Sequence, residues 1–271
     1  MKRISIMMLL LAFVSGGFAQ NKEKRTVSTF TKVSFKMPGK LYLKQGTTHS
    51  VELEGDKEVL DKIEVRVEDG KLTIGLKNED QWFNWRDWDN GKITAYVSMV
   101  TVEGLTVSGS GDLIAQTKIK SDNLDVRVSG SGNLTADIDA ADVNGKVSGS
   151  GDLGLKGKMK SLDSDISGSG KISFQGDVDG MVEIGISGSG RFMASGSANE
   201  IKTNISGSGR VLASDLVVDK CNVRISGSGS VEINVKNSLE ANISGSGSVT
   251  YKGNPSQVNS HASGSGSIRK M

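Results

Sequence analysis

The chain has one cysteine, Cys221, and two prolines among 271 residues. A lone thiol cannot close an intrachain disulfide, so the fold must rest on packing and hydrogen bonds even if the protein is exported to an oxidising compartment. Net charge is also scarce: 33 Lys and Arg stand against 31 Asp and Glu. Lys2 and Arg3 make up the difference, and a balanced remainder argues against a nucleic-acid partner. Histidine is limited to His49 and His261, too far apart in chain and pattern to suggest a catalytic pair, and no zinc-ligand spacing is present. The longest apolar run, residues 4–14, is shorter than the roughly 20 residues that cross a bilayer. It follows Lys2 and Arg3 and precedes Gly17 and Ala19, the plan of a signal peptide. Residues 1–19 are therefore expected to be a cleaved leader, with 20–26 a short N-terminal tail. The mature protein is then exported to the periplasm, cell surface or medium, and no integral membrane segment remains.

Glycine is abundant instead, at 35 residues, and much of it is organised. Ser-Gly-Ser-Gly begins nine times, at Ser108, Ser129, Ser148, Ser167, Ser187, Ser206, Ser226, Ser244 and Ser263, in steps of 18 to 21 residues. One structural unit is being stacked along an axis. A flexible Gly/Ser linker would not recur in register with apolar residues, whereas these motifs do. Five residues before each later motif stand Leu124, Val143, Leu162, Val182, Ile201, Cys221, Leu239 and Val258. Immediately before the motifs stand Val107, Val128, Val147, Ile166, Ile186, Ile205, Ile225, Ile243 and Ala262. Just past them stand Leu113, Leu134, Leu153, Ile172, Phe192, Val211, Val231, Val249 and Ile268.

Three apolar columns with period-two alternation between them predict strands buried on one face. The expected fold is all-β: a parallel β-helix, or β-solenoid, of about 19–20 residues per coil. Each coil should hold two strands, a polar turn and a Ser-Gly-Ser-Gly turn, where glycine supplies φ above zero. A phosphate-cradling role for the motif lacks the lysine and following helix that such loops need. Residues 27–107 show strand-like runs at 27–36, 41–44, 50–54, 63–68, 72–76 and 93–97, with a helical turn at 56–60 and a hairpin at Asp69-Gly70. No linker follows, so 27–271 is expected to be one body: irregular N-terminal coils or a cap over 27–107, then the regular array over 108–271.

The run Gly104-Leu105-Thr106-Val107-Ser108-Gly109-Ser110-Gly111-Asp112-Leu113, with its repeated continuation, resembles the bacterial head GIN domain family of auto-transporter adhesins, also known as a domain of unknown function. So does Val65-Arg66-Val67-Glu68-Asp69-Gly70-Lys71-Leu72-Thr73-Ile74. The resemblance spans roughly residues 27–268. It implies a secreted or cell-envelope protein with a right-handed parallel β-helix, similar in shape to pectin lyases, and adhesion as its role. It implies no catalytic residues. No translocator follows the last motif here, so surface attachment is expected to be non-covalent or made through partners.

The densest cluster of binding chemistry is residues 79–91, where Trp82, Phe83, Trp85 and Trp88 stand with Arg86, Asp87 and Asp89. Such rings stack on sugar faces while carboxylates accept hydroxyl hydrogen bonds, or they fold over an apolar edge of the solenoid as a structural cap. A second feature is the ladder just after each motif: Asp112, Asn133, Asp152, Lys171, Arg191, Arg210, Ser230, Ser248 and Ser267. Asp152 beside Lys171 should be mildly favourable, and Arg191 beside Arg210 is a candidate weak anion site. Asp137, Asp139, Asp142, Asp163, Asp165, Asp177 and Asp179 fall in or beside the polar turns without sharing one column, and the nonapeptide calcium repeat is absent. Cys221 belongs to a core column and is expected to pack rather than react.

The expected protein is thus a non-catalytic exported β-solenoid with no cofactor and no metal, an adhesin that recognises glycans or protein surfaces. A pectin-lyase-like polysaccharide enzyme is one alternative. The other is an envelope scaffold that self-associates as a homo-oligomer through its last coil, where Val258, Ser260 and Ala262 form a weak core.

Overall fold

Period-two alternation becomes, in three dimensions, a stack of parallel coils. The computed structural model describes residues 21–77 and 93–271. The regular array comprises β10 (Ile119–Gly130), β11 (Asn133–Gly149), β12 (Asp152–Gly168), β13 (Lys171–Gly188), β14 (Arg191–Gly207), β15 (Arg210–Gly227) and β16 (Ser230–Gly245). Each pairs in parallel with the next, so Val128, Val147, Ile166, Ile186, Ile205, Ile225 and Ile243 are successive Cα partners. These residues are buried, as are the other two columns through Leu239 and Val249, and one hydrophobic cluster runs from Phe30 to Val249. The β-solenoid expected from the sequence is the fold, in about nine turns.

The two strand segments of a coil join through the polar corner. β11 to β16 therefore run 16 to 18 residues without interruption, broken at Ser-Gly-Ser-Gly. Inside β12 the buried positions are Leu153 and Leu155, then Met159, then Leu162, Ser164 and Ile166, so the inward phase slips once, between Met159 and Leu162 at the polar corner. Ahead of that slip, at an inward-phase position, stand the aligned glycines Gly157, Gly176 and Gly196, with φ of +129°, +150° and +119°.

The two glycines of each motif serve different needs. The first has φ between +98° and +119° at all nine corners, a region L side chains rarely adopt. The last has ordinary φ but no room. A Cβ on Gly190 would lie 2.3 Å from Ile166 Cγ2, and one on Gly132 would lie 2.6 Å from Val107 Cγ1. The corners are also tied from coil to coil, with the Ser131, Ser150 and Ser169 amides donating to the Gly109, Gly130 and Gly149 carbonyls at 2.9 Å.

The N-terminal coils stack out of sequence order. β2 (Lys32–Phe35) lies between β6 (Lys71–Leu76) and β8 (Gly104–Gly109), while β3 (Lys40–Gln45) lies between β7 (Thr94–Met99) and β9 (Asp112–Ala115). The first coil in the chain is thus an inner layer of the stack. Beyond β6 and β7 the strands reverse: β5 (Ile63–Glu68) pairs antiparallel with β6, and β4 (Ser50–Gly55) with β7. Helix α1 (Lys57–Leu60) connects β4 to β5 and buries Leu60. Residues 21–25, expected as a tail, instead form β1 (Asn21–Arg25), antiparallel to β4. Hydrophobic patterning could not reveal it, because β1 is an edge strand of charges. Lys22 reaches Glu54 at 3.2 Å and Arg25 reaches Glu23 at 2.8 Å, and a charged edge resists pairing with other chains.

At the opposite end, β17 (Ser248–Lys252) pairs with β19 (Ser267–Lys270), and β18 (Gln257–Ser263) pairs with β16 alone among the described strands. Every residue of β18 is exposed and Val258 is 42% exposed, so the apolar columns thin out there.

Among the described residues, two hydroxyls buried inside the solenoid stand without a partner. Ser164 and Thr203 are fully buried, and their oxygens meet no hydrogen-bond partner among the described residues. Buried unpaired hydroxyls destabilise. Ser164→Ala and Thr203→Val should therefore leave stability unchanged or raise it by up to about 2 kcal/mol in chemical denaturation; a loss would show that the hydroxyls are bonded. At the corners, Gly207 has φ +114° and an added Cβ would meet the Gly188 carbonyl oxygen at 2.8 Å, while at Gly227 the values are +119° and 2.6 Å. Gly207→Ala and Gly227→Ala should each destabilise by about 2 kcal/mol or more, lowering the melting temperature by at least about 4 °C. Ser208→Ala, at the same corner, should change it little.

Candidate functional site

With the interior filled by Val, Ile and Leu, chemistry is confined to the outward ladders. The position four residues before each motif forms one: Asp125, Asn144, Asp163, Glu183, Lys202, Asn222 and Glu240 are Cα partners in turn. Near its start this ladder borders a groove of about 1090 Å³, built over the polar corners of β10, β11 and β12. Gln45 helps hold its wall: its side-chain amide donates to the Lys120 carbonyl at 2.9 Å and its oxygen accepts the Lys120 amide at 2.7 Å.

The groove gathers Asp122, Asp125, Asp139, Asp142 and Asp163 with Lys120 and Lys160. In the sequence, Asp139, Asp142 and Asp163 fall in or beside the polar turns without sharing one column. The bend at each polar corner brings them onto one face. Asp125 is held by Arg127, with contacts of 3.0 and 2.7 Å, and Asp142 accepts from Ser161 Oγ at 2.5 Å. Asn144 Oδ1 is buried and has no partner among the described residues. Partial desolvation, reinforced by Asp165 and then Glu183, raises the Asp163 carboxyl above its ordinary value. These groups can accept hydrogen bonds along the ladder, and the lysines can donate them. Asn144 is not among the candidates named from the sequence; its place four residues before a motif, shared with Asp163, is the signal that finds it.

The other sequence candidates fare differently. Trp82, Phe83, Trp85 and Trp88 lie outside the described residues. Arg191 and Arg210 are adjacent Cα partners, both exposed, and neither makes an ion pair among the described residues. Lys171 contacts Asp152 at 2.7 Å, the favourable pair expected on that ladder. Cys221 is buried, and burial pushes its thiol up to about 12, which removes thiolate chemistry. His49 packs edge-on against Phe30, far from His261 on the exposed β18. Among the described residues no group of three or more His, Cys, Asp or Glu could hold a metal ion. None of their helices is long and apolar enough to cross a membrane.

Residues 29–176 and 174–255 match the family described as "Putative auto-transporter adhesin, head GIN domain". The chain belongs to this family. Solved structures with the same fold include the "putative adhesin from Parabacteroides merdae ATCC 43184", at TM-score 0.71 and 21% identity. Another is the "Putative lipid binding protein from Parabacteroides distasonis ATCC 8503", at TM-score 0.70 and 23% identity. Each alignment covers 94% of this chain and 98% of the other. A third, a "putative adhesin" from the same Parabacteroides distasonis strain, has TM-score 0.67 and 21% identity over 93% of this chain and 97% of its own. No protein of curated function matches. For this head GIN domain the solved structures establish the architecture, while the grooves are properties of its own ladders.

The raised Asp163 carboxyl fixes the sign of a pH effect. In the folded state it holds its proton to higher pH than in the unfolded chain, so its ionisation opposes folding at neutral pH. Asp163→Asn should stabilise the protein at pH 7, and the gain should shrink as pH falls through the carboxylate range and protonation relieves the wild type. A gain that persists unchanged at pH 3 would contradict this assignment.

Proposed function

We propose that this head GIN domain is a non-catalytic, exported adhesin that binds glycan along its polar groove. The observation that carries the reading is the groove itself, an open channel of about 1090 Å³ whose Asp122, Asp139, Asn144 and Lys160 line one rigid face. Carboxylates and amide oxygens accept from sugar hydroxyls, and lysine donates to them, the division of labour a saccharide chain requires. Asp125, Asn144 and Asp163 follow one another on successive coils about 4.8 Å apart, so a chain of sugars meets a chain of partners. In this reading residues 1–19 direct export and are removed. Trp82, Phe83, Trp85 and Trp88 supply a stacking platform for sugar rings.

A second reading, a polysaccharide-cleaving enzyme, has one observation in its favour. Asp163, Glu183 and Lys202 stand on three successive coils, the carboxylates and base that such cleavage uses. Lys202 Nζ, however, is held by Glu183 Oε1 at 2.6 Å, which ties up both groups.

A glycan array probed with the purified protein tests both readings. Binding that is lost in an Asp139→Ala/Asn144→Ala variant of unchanged melting temperature supports the groove. Loss in a Trp82/Trp85/Trp88→Ala triple variant adds the platform. Release of new reducing ends from polygalacturonate, abolished by Lys202→Ala, would establish the enzyme instead.

A further inference from the structure

On the face that follows each corner, the coils leave a second groove of about 700 Å³, distinct from the polar one. Along it the outward ladder reads Thr135, Gly154, Ser173, Met193 and Leu212, each the Cα partner of the next. Gly154 leaves a dip, and Phe174 and Ala194 reach its surface from the core. Met193 is 40% exposed, one of few large apolar side chains left to solvent among the described residues. A flexible thioether facing water over an apolar floor suits an alkyl chain better than a sugar hydroxyl.

The rim carries more cations than carboxylates. Three of its carboxylates are matched: Asp152 by Lys171 at 2.7 Å, Asp137 by Lys118 at 3.7 Å and Asp215 by Lys252 at 3.9 Å. Arg191, Arg210 and Lys156 have no ion-pair partner among the described residues, and Glu232 closes the end one coil beyond Leu212. Arg191 and Arg210 stand two residues before Met193 and Leu212 on the same strands, hence on the same face. Register holds these two arginines on neighbouring coils about 4.8 Å apart, where they repel unless an anion bridges them. Guanidinium forks suit oxyanions, and two of them match a phosphate monoester, which carries about −1.5 to −2 charge near pH 7, better than a monoanionic carboxylate.

We propose that this face binds a single-chain lipid with a phosphate head. The phosphate bridges Arg191 and Arg210, and the alkyl chain lies over Met193 toward Ser173 and Gly154. The floor spans five coils, roughly 19 Å, room for a chain of medium length. The site is independent of the glycan reading, and either can fail without the other.

Calorimetric titration with dodecyl phosphate below its micellar concentration tests it. One equivalent should bind, and Arg191→Gln/Arg210→Gln should weaken binding at least tenfold with an unchanged melting temperature. Met193→Asp should weaken it as well, while Asp139→Ala in the polar groove should not. Inorganic phosphate binding as tightly as dodecyl phosphate would reduce the site to an anion site and overturn the lipid. Equal binding of dodecyltrimethylammonium, or full affinity in the double arginine variant, would overturn the head-group assignment.

Discussion

The distance between coils is the constraint from which the rest follows. Parallel pairing sets it at about 4.8 Å, and the chain must turn at that pitch nine times. At the corners the carbonyl of one coil lies where a Cβ of the next would be: 2.7 Å at Gly168, 2.6 Å at Gly245. Glycine therefore satisfies two conditions at once, positive φ and vacancy. From the second corner onward the last glycine of the motif adds a third, because it receives the γ-carbon of a Val or Ile from the preceding coil. Corner and core are thus one packing problem, and the β-branched column just before each motif is fitted to the glycine column just after it.

This arrangement decides where function can reside. Alternate residues must point inward, and nearly all are aliphatic, so the remaining half of each coil is free to vary without disturbing the fold. The outward ladders of this chain use that freedom unevenly. Ladder positions before the motif carry Asp, Asn and Glu with the single cation Lys202, while those after it pass from Asp112 and Asp152 to Arg191 and Arg210. Strand register then converts sequence spacing into surface geometry, and each face becomes a column of chosen side chains at constant pitch.

The array was legible because it repeats. Val128, Ile186 and Ile243 occupy one column in the sequence and one in space, and the Ser-Gly-Ser-Gly turns are its corners. What did not repeat was harder to read. β2 lies between β6 and β8, a contact between segments separated by dozens of residues, and no local pattern encodes it. β1 has no apolar face because it closes an edge with charge. The bend at Gly157, Gly176 and Gly196 is confined to three coils, with Ile138 and Leu216 in the flanking ones. In the polar groove, Asp139 joins Asp142 and Asp163 across a corner, and corners are where alternation stops informing direction.

Strict register also explains why charge on such a solenoid has to be managed by ladder rather than by residue. A side chain cannot move away from its neighbour on the next coil, since the backbone beneath both is hydrogen-bonded in place. Opposite charges are therefore brought into pairs, as with Lys171 and Asp152 or Lys146 and Asp165. Like charges are held together as firmly, as with Arg191 and Arg210. Exposed pairs of the first kind contribute little, about 0–1 kcal/mol each. The second kind matters more for function. Repulsion that the fold does not relieve leaves a site where an external anion is bound by groups already in position, with little ordering left to do on binding. The same rigidity that forbids a β-carbon at the corners thus preorganises the faces between them.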